Sequence, residues 1–197
     1  MIVDDTIVRG DQQLCALIVH STEDDLGENI ASRIKTTVDS DIEIDIKRAS
    51  TYSELITVLD KATPVSVFIL IAHGDKQTHS AWLFADLDVD GNELSLGVAE
   101  QATLRDYLKD KVCIFGVCYF GTATLAQAIV GHDGAIFALA SKPHNTLTGL
   151  DVATVAISLL NTMESTKPSS VTLDLLVRHC VPKIDASLLA RFNQFRP

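Results

Sequence analysis

Two residue types that together perform nucleophilic chemistry stand at the ends of apolar runs. His73 follows the run Val65–Ala72 in Ile-Ala-His-Gly, and Cys118 follows Val112–Val117 in Phe-Gly-Val-Cys-Tyr-Phe-Gly. A cysteine and a histidine leaving neighbouring strands can form a thiolate–imidazolium pair. The thiolate attacks a carbonyl carbon, and the imidazole protonates the leaving group. Gly74 lets the backbone approach a substrate, and its N–H can point at a developing oxyanion. Gly116 and Gly121 flank the cysteine and allow a tight exit into the next helix, whose N-terminus would favour the thiolate.

Other reactive side chains compete for the same roles. His20 leaves the first apolar run and is the strongest rival to His73, although it also reads as the residue preceding a Ser21 helix cap. His144 lies in the loop after the fifth run, where it and His20 would help shape a substrate groove. His132 precedes that run and so belongs to the opposite edge. His79 falls in a polar loop and His179 in a C-terminal helix. The remaining thiols are Cys15, Cys113 and Cys180, with no C-x-x-C pair to suggest zinc or thioredoxin chemistry. Cys15 and Cys113 lie inside apolar runs and read as inert core residues. Asp86, Asp88 and Asp90 resemble the start of an EF-hand calcium loop, but the twelfth position is Gly97 rather than a bidentate Glu. An acidic hairpin turn is the better reading, and no metal or other cofactor is expected.

The elements that must position these residues read as an α/β fold. Five apolar runs have strand length: Leu14–Val19, Ile42–Ile46, Val65–Ala72, Val112–Val117 and Ala135–Ala140. Continuous apolar runs of this kind suit strands buried on both faces. Helical spacing separates them over Ser21–Val38, Thr51–Leu59, Gly97–Leu108 and Thr122–Val130, with Leu150–Leu160 after the fifth. Alternating strands and helices imply right-handed crossovers and a parallel sheet. Its active residues belong on the loops at the carboxyl ends of the strands. Ala81–Ala85 and Glu93–Leu96 break the alternation as a small hairpin around Asp90-Gly91-Asn92.

An apolar strand ending in His-Gly, about 45 residues before one ending in Cys, resembles the caspase-like cysteine peptidases, and within them the bacterial CHAT domains most closely. The likeness extends through Gly134-Ala135 and the hairpin, over roughly Leu14 to Leu160. It implies a three-layer sandwich with a mostly parallel sheet of strand order 2-1-3-4-5-6 and helices on both faces. It also implies Cys118 as nucleophile, His73 as general base, and the N–H groups of Gly74 and Cys118 as oxyanion hole. Some relatives bind calcium near the hairpin, which would involve Asp86, Asp88 and Asp90. The chain departs from the pattern at Val117, where a small residue is usual, and at Phe120, which stands in place of Thr and displaces Gly121 by one.

The domain reading is a peptidase unit over 1–163, a linker over 164–170 rich in Ser, Thr and Pro, and a helical appendage over 171–197. That appendage would pack on the domain or serve a partner. The chain has 197 residues, nearly half of them apolar, with a formal charge of -10. Such a balance argues against disorder and against nucleic acid as a partner. No apolar run approaches the ~20 residues of a membrane span and no signal peptide is evident, so a cytoplasmic protein is expected. The leading expectation is hydrolysis of a protein or peptide substrate through an acyl-enzyme, with a regulatory partner or self-association left open. Two rivals stand beside it. One is an esterase or lactone hydrolase of the α/β-hydrolase kind, which would pair Cys118 with a downstream histidine. The other is an inert caspase-like interaction module that keeps the cysteine as core.

Overall fold

A computed structural model describes residues 7–9, 13–21, 25–62, 64–76, 81, 98–121, 128–130, 133–166 and 170–197. The described strands are β1 (Ile7–Arg9), β2 (Cys15–His20), β3 (Glu43–Arg48), β4 (Val67–Ala72), β5 (Val112–Val117), β6 (Phe137–Ser141), β7 (Ser170–Thr172) and β8 (Phe192–Phe195). The described helices are α1 (Leu26–Thr37), α2 (Tyr52–Lys61), α3 (Val98–Tyr107), α4 (Gly149–Thr166), α5 (Leu173–Cys180) and α6 (Ala186–Leu189). Six strands form one sheet in the order β3-β2-β4-β5-β6-β8, and β1 pairs with β7 separately. Counted along the chain within the six-stranded sheet, that order is 2-1-3-4-5-6, as expected. Its first five strands are mutually parallel, and β8 joins β6 antiparallel.

The five apolar runs form strands because alternate side chains bury on opposite faces. Every residue of β4 and β5 is buried. On one face, Ile69, Ile71, Ile114 and Leu139 pack with Ile30 and Ile34 of α1, Val152, Val155 and Leu159 of α4, and Leu173 and Val177 of α5. On the other, Leu17, Phe68, Leu70, Phe115 and Val117 pack with Leu55 and Leu59 of α2 and Leu104 of α3. The result is three layers around one sheet. Thr51 caps α2 by accepting the Glu54 N–H, and the Glu54 carboxylate takes the Ser50 N–H at 2.7 Å. This reciprocal arrangement resembles a capping box.

The expected elements need several corrections. The helix expected from Ser21 starts at Leu26, with Asp25 at the cap position and no side-chain cap bond. The segment expected as a linker ending at Ser170 contains the last turn of α4 and begins β7. The segment expected as a helical appendage is built into the fold. It supplies β7, α5, α6 and the sheet's sixth strand, and Leu173, Leu176, Val177, Cys180, Val181, Ile184 and Phe192 all join the same buried cluster as Ile69, Ile71 and Ile114. The physical reason is the exposed edge of β6, whose backbone groups need a partner. The hairpin reading falls mostly outside the described residues; of it, only Ala81 is described, in an antiparallel bridge to Gly74. Of the helix expected over 122–130, only 128–130 is described.

Integration of the C-terminal segment predicts its energetic weight. Phe192 is 3% exposed, so Phe192→Ala should cost about 3–5 kcal/mol in denaturant unfolding. A chain cut after Met163 should lose its cooperative transition, whereas a separable appendage would leave that transition intact.

Candidate functional site

The carboxyl edge of the sheet gathers the reactive side chains that the sequence singled out. Ala72 and Val117 are register partners on β4 and β5. His73 and Cys118 are the next residue on each strand, so both leave the same edge from neighbouring strands about 4.8 Å apart. His73 is exposed and Cys118 half-buried. Gly74 lies against the Cys118 peptide: a methyl group added to it would fall 1.8 Å from the Cys118 carbonyl oxygen and 3.0 Å from its nitrogen. No side chain fits there, which gives this glycine a steric role before any catalytic one.

The turn carrying Cys118 is held by atoms that the sequence reading did not identify. Ser141, fully buried at the end of β6, donates its hydroxyl to the Val117 carbonyl at 2.6 Å and accepts the Phe120 N–H at 3.0 Å. The Gly121 N–H donates to the Ser141 carbonyl at 2.8 Å. Asn193 of β8 donates its side-chain amide to the Gly121 carbonyl at 3.1 Å. Tyr119 has φ of 61°, a left-handed conformation that costs a non-glycine residue roughly 1–3 kcal/mol and persists only where the surroundings over-determine it. That reversal delivers Phe120 into the core, where its ring lies 5.0 Å from that of Phe115. Phe120 therefore anchors the turn.

The sulfur itself meets a loop. The Leu147 N–H donates to Cys118 Sγ at 3.3 Å, and Sγ lies 3.7 Å from the Leu147 carbonyl oxygen. Leu147 belongs to the segment between β6 and α4, which also carries His144, exposed at this same edge. Asp151, at the start of α4, accepts the Thr148 N–H and hydroxyl and the Arg191 guanidinium. Burial alone would raise the Asp151 carboxyl, but those three donors together hold it below the ordinary carboxylate range.

His20 ends β2, in register with Ile71 of β4 and Arg48 of β3. It is 7% exposed, and among the described residues neither its buried Nδ1 nor the buried hydroxyl of the adjacent Ser21 has a hydrogen-bond partner. Burial pushes the His20 imidazole below its ordinary value, Glu28 opposes this, and Arg48 adds to it. His179 is exposed on α5, away from the strand ends; His79 and His132 lie outside the described residues. Among the described residues, the histidines at the edge of Cys118 are thus His20, His73 and His144.

The other three thiols are all pushed up. Cys113 is fully buried, and burial raises it strongly. Cys180 is raised by burial against the opposing effects of Thr166 and Lys183. Cys15, expected as core, is only partly buried because it opens β2 at the sheet's lower edge; burial and the neighbouring Glu43 carboxylate both raise it. Asp86, Asp88 and Asp90 lie outside the described residues. Among the described residues, no group of three or more His, Cys, Asp and Glu side chains is arranged to hold a metal ion, and no helix is long and apolar enough to cross a membrane. A scan against protein-family models, a search of curated proteins and a search of solved structures each found no match.

Two outcomes follow from this geometry. Ser141→Ala removes the buried hydroxyl that bonds both the Val117 carbonyl and the Phe120 N–H, so it should destabilise the chain by about 1–3 kcal/mol. It should also slow alkylation of Cys118, read by mass spectrometry. The second outcome concerns pH. Because the folded state lowers the His20 value, the unfolded chain binds the proton more readily as pH falls below the ordinary histidine range. The His20 contribution to stability is therefore present above that range and lost as pH falls through the lowered value. Melting curves from pH 8 down to pH 5 should show His20→Gln losing less stability than the wild-type chain; parallel losses would refute the assignment.

Proposed function

We propose that the chain is a caspase-like cysteine peptidase in which Cys118 is the nucleophile and His73 the general base. The observation that carries this reading is the register of Ala72 with Val117, which makes His73 and Cys118 the first residues beyond two paired parallel strands. In the proposed reaction the Cys118 thiolate attacks the scissile carbonyl carbon, forming the S–C bond as the carbonyl π pair moves onto oxygen. The Gly74 and Cys118 N–H groups would receive that oxyanion. Collapse expels the amine, which takes its proton from the His73 imidazolium, and leaves a thioester. Water then gives a proton to the imidazole and attacks the thioester, releasing the acid and the thiol. No third acid is required, since a thiol paired with imidazole ionises far more readily than a serine hydroxyl.

Supporting features are the exposure of His73, the half-buried sulfur beside a loop, and the close packing of Gly74 on the Cys118 peptide. The α/β-hydrolase alternative needs a downstream histidine at the sulfur. His144 is the described candidate, on the loop that reaches Cys118. The inert-module alternative draws on the same loop, since the Leu147 main chain rests on Sγ. A protein or peptide substrate, a cytoplasmic setting and a bacterial role in stress or defence belong to this proposal through the resemblance to CHAT domains.

Profiling cleavage of a peptide library separates the three readings. Cys118→Ala and His73→Ala should each abolish cleavage while leaving the melting transition close to that of the wild-type chain, because members of a dyad act as a unit. Activity retained in His73→Ala but lost in His144→Ala would favour the hydrolase alternative. A wild-type chain with no cleavage and an unreactive Cys118 would favour the inert module.

A further inference from the structure

The amide that meets the sulfur has a traceable anchor. Leu147 is followed by Thr148, whose N–H and hydroxyl donate to Asp151 Oδ2 at 2.7 and 2.8 Å, while the Asp151 N–H returns a bond to Thr148 Oγ1 at 3.2 Å. This closed ring starts α4. The same Oδ2 takes Arg191 Nη1 at 2.5 Å. Arg191 also accepts the Lys142 N–H on its carbonyl at 3.1 Å. One residue thus grips the segment at both ends: Lys142 through its main chain, Asp151 through its side chain. Between these ends lie Asn145, whose carbonyl accepts the Tyr119 N–H, and Leu147, whose N–H meets Sγ. Arg191 is 40 positions from Asp151 in sequence and immediately precedes β8.

We propose that Arg191 is a positioning residue for Cys118, holding Asp151 and Thr148 so that the Leu147 N–H stays directed at the nucleophilic sulfur. The proposal rests on Cys118 being the nucleophile. A thiolate accepts such a bond more strongly than a neutral thiol, because the acceptor is then charged. The bond also weakens steeply as the donor swings out of line. The Arg191 side chain is 48% exposed and that of Asp151 15%. Ion pairs with so open a partner contribute little to global stability. Loss of Arg191 should consequently appear in the chemistry of the sulfur much more than in the fold.

The test uses the full chain and iodoacetamide, with the alkylation rate at each cysteine followed by mass spectrometry and melting temperature recorded in parallel. Arg191→Gln should slow the reaction at Cys118 by about tenfold, within the roughly hundredfold that an ångström of misplacement can cost. Cys15 should react at its wild-type rate, and the melting temperature should shift by only a few degrees. Arg191→Lys, which keeps the charge, should recover most of the Cys118 rate. An unchanged Cys118 rate in Arg191→Gln, set against a wild-type Cys118 that outpaces Cys15, would overturn the positioning role alone. A wild-type Cys118 no faster than Cys15 would overturn the nucleophile assignment and the positioning role with it. Failure of Arg191→Gln to fold, or a rate loss not recovered by Arg191→Lys, would also count against the proposal, since the residue would then act through the fold at large.

Discussion

Parallel strands leave a sheet at the same edge, and their register decides which residues leave together. Here the pairing of β4 with β5 runs unbroken from Val67 opposite Val112 to Ala72 opposite Val117. A slip by one residue would turn every side chain of β5 to the wrong face, exchanging Ile114 and Phe115 between two cores that are both closed. The register is therefore fixed by the burial of twelve strand positions, six consecutive ones on each strand. The relative placement of His73 and Cys118 inherits that rigidity without any direct bond between them being needed to secure it.

Beyond the strand ends, order comes from hydrogen bonds rather than from apolar packing. The 117–121 turn finds partners on β6 through Ser141, on the following loop through Asn145 and Leu147, and on β8 through Asn193. Only Phe120 contributes a large buried side chain. Two close backbone approaches complete the arrangement, Gly74 on Cys118 and Gly121 on Ser141, where an added methyl would sit 2.0 Å from the carbonyl oxygen. The site is thus a main-chain construction whose side chains are mostly small. The bulky Tyr119 and Phe120 are accommodated by reversing the backbone at Tyr119 instead of widening the turn.

The same distinction marks what could be read from the residues alone. The five buried strands announced themselves as apolar runs, and their alternation with helical spacing implied the parallel order. His73 and Cys118 were visible because strand ends are recognisable and their side chains are chemically distinctive. Phe192–Phe195 was not visible: Phe-Asn-Gln-Phe is short, half polar and antiparallel at an edge, so it lacks the continuous apolar signature of the inner strands. Ser141 looked like any serine closing an Ala-Leu-Ala run, since its role depends on partners 21 and 24 positions earlier. The Leu147 amide carries no side-chain signal at all, and the pairing of Arg191 with Asp151 joins residues that no local spacing connects.

The bond from Asn193 to Gly121 also has a consequence in time. These residues are 72 positions apart, and a ribosome adding about 5–20 residues per second takes several seconds to bridge that interval. During those seconds β4 and β5 can already be paired, while the turn between Val117 and Gly121 lacks its strand partner on β8 and the guanidinium that grips the neighbouring loop. A nascent chain therefore carries this thiol for several seconds before Arg191 and Asn193 complete its surroundings.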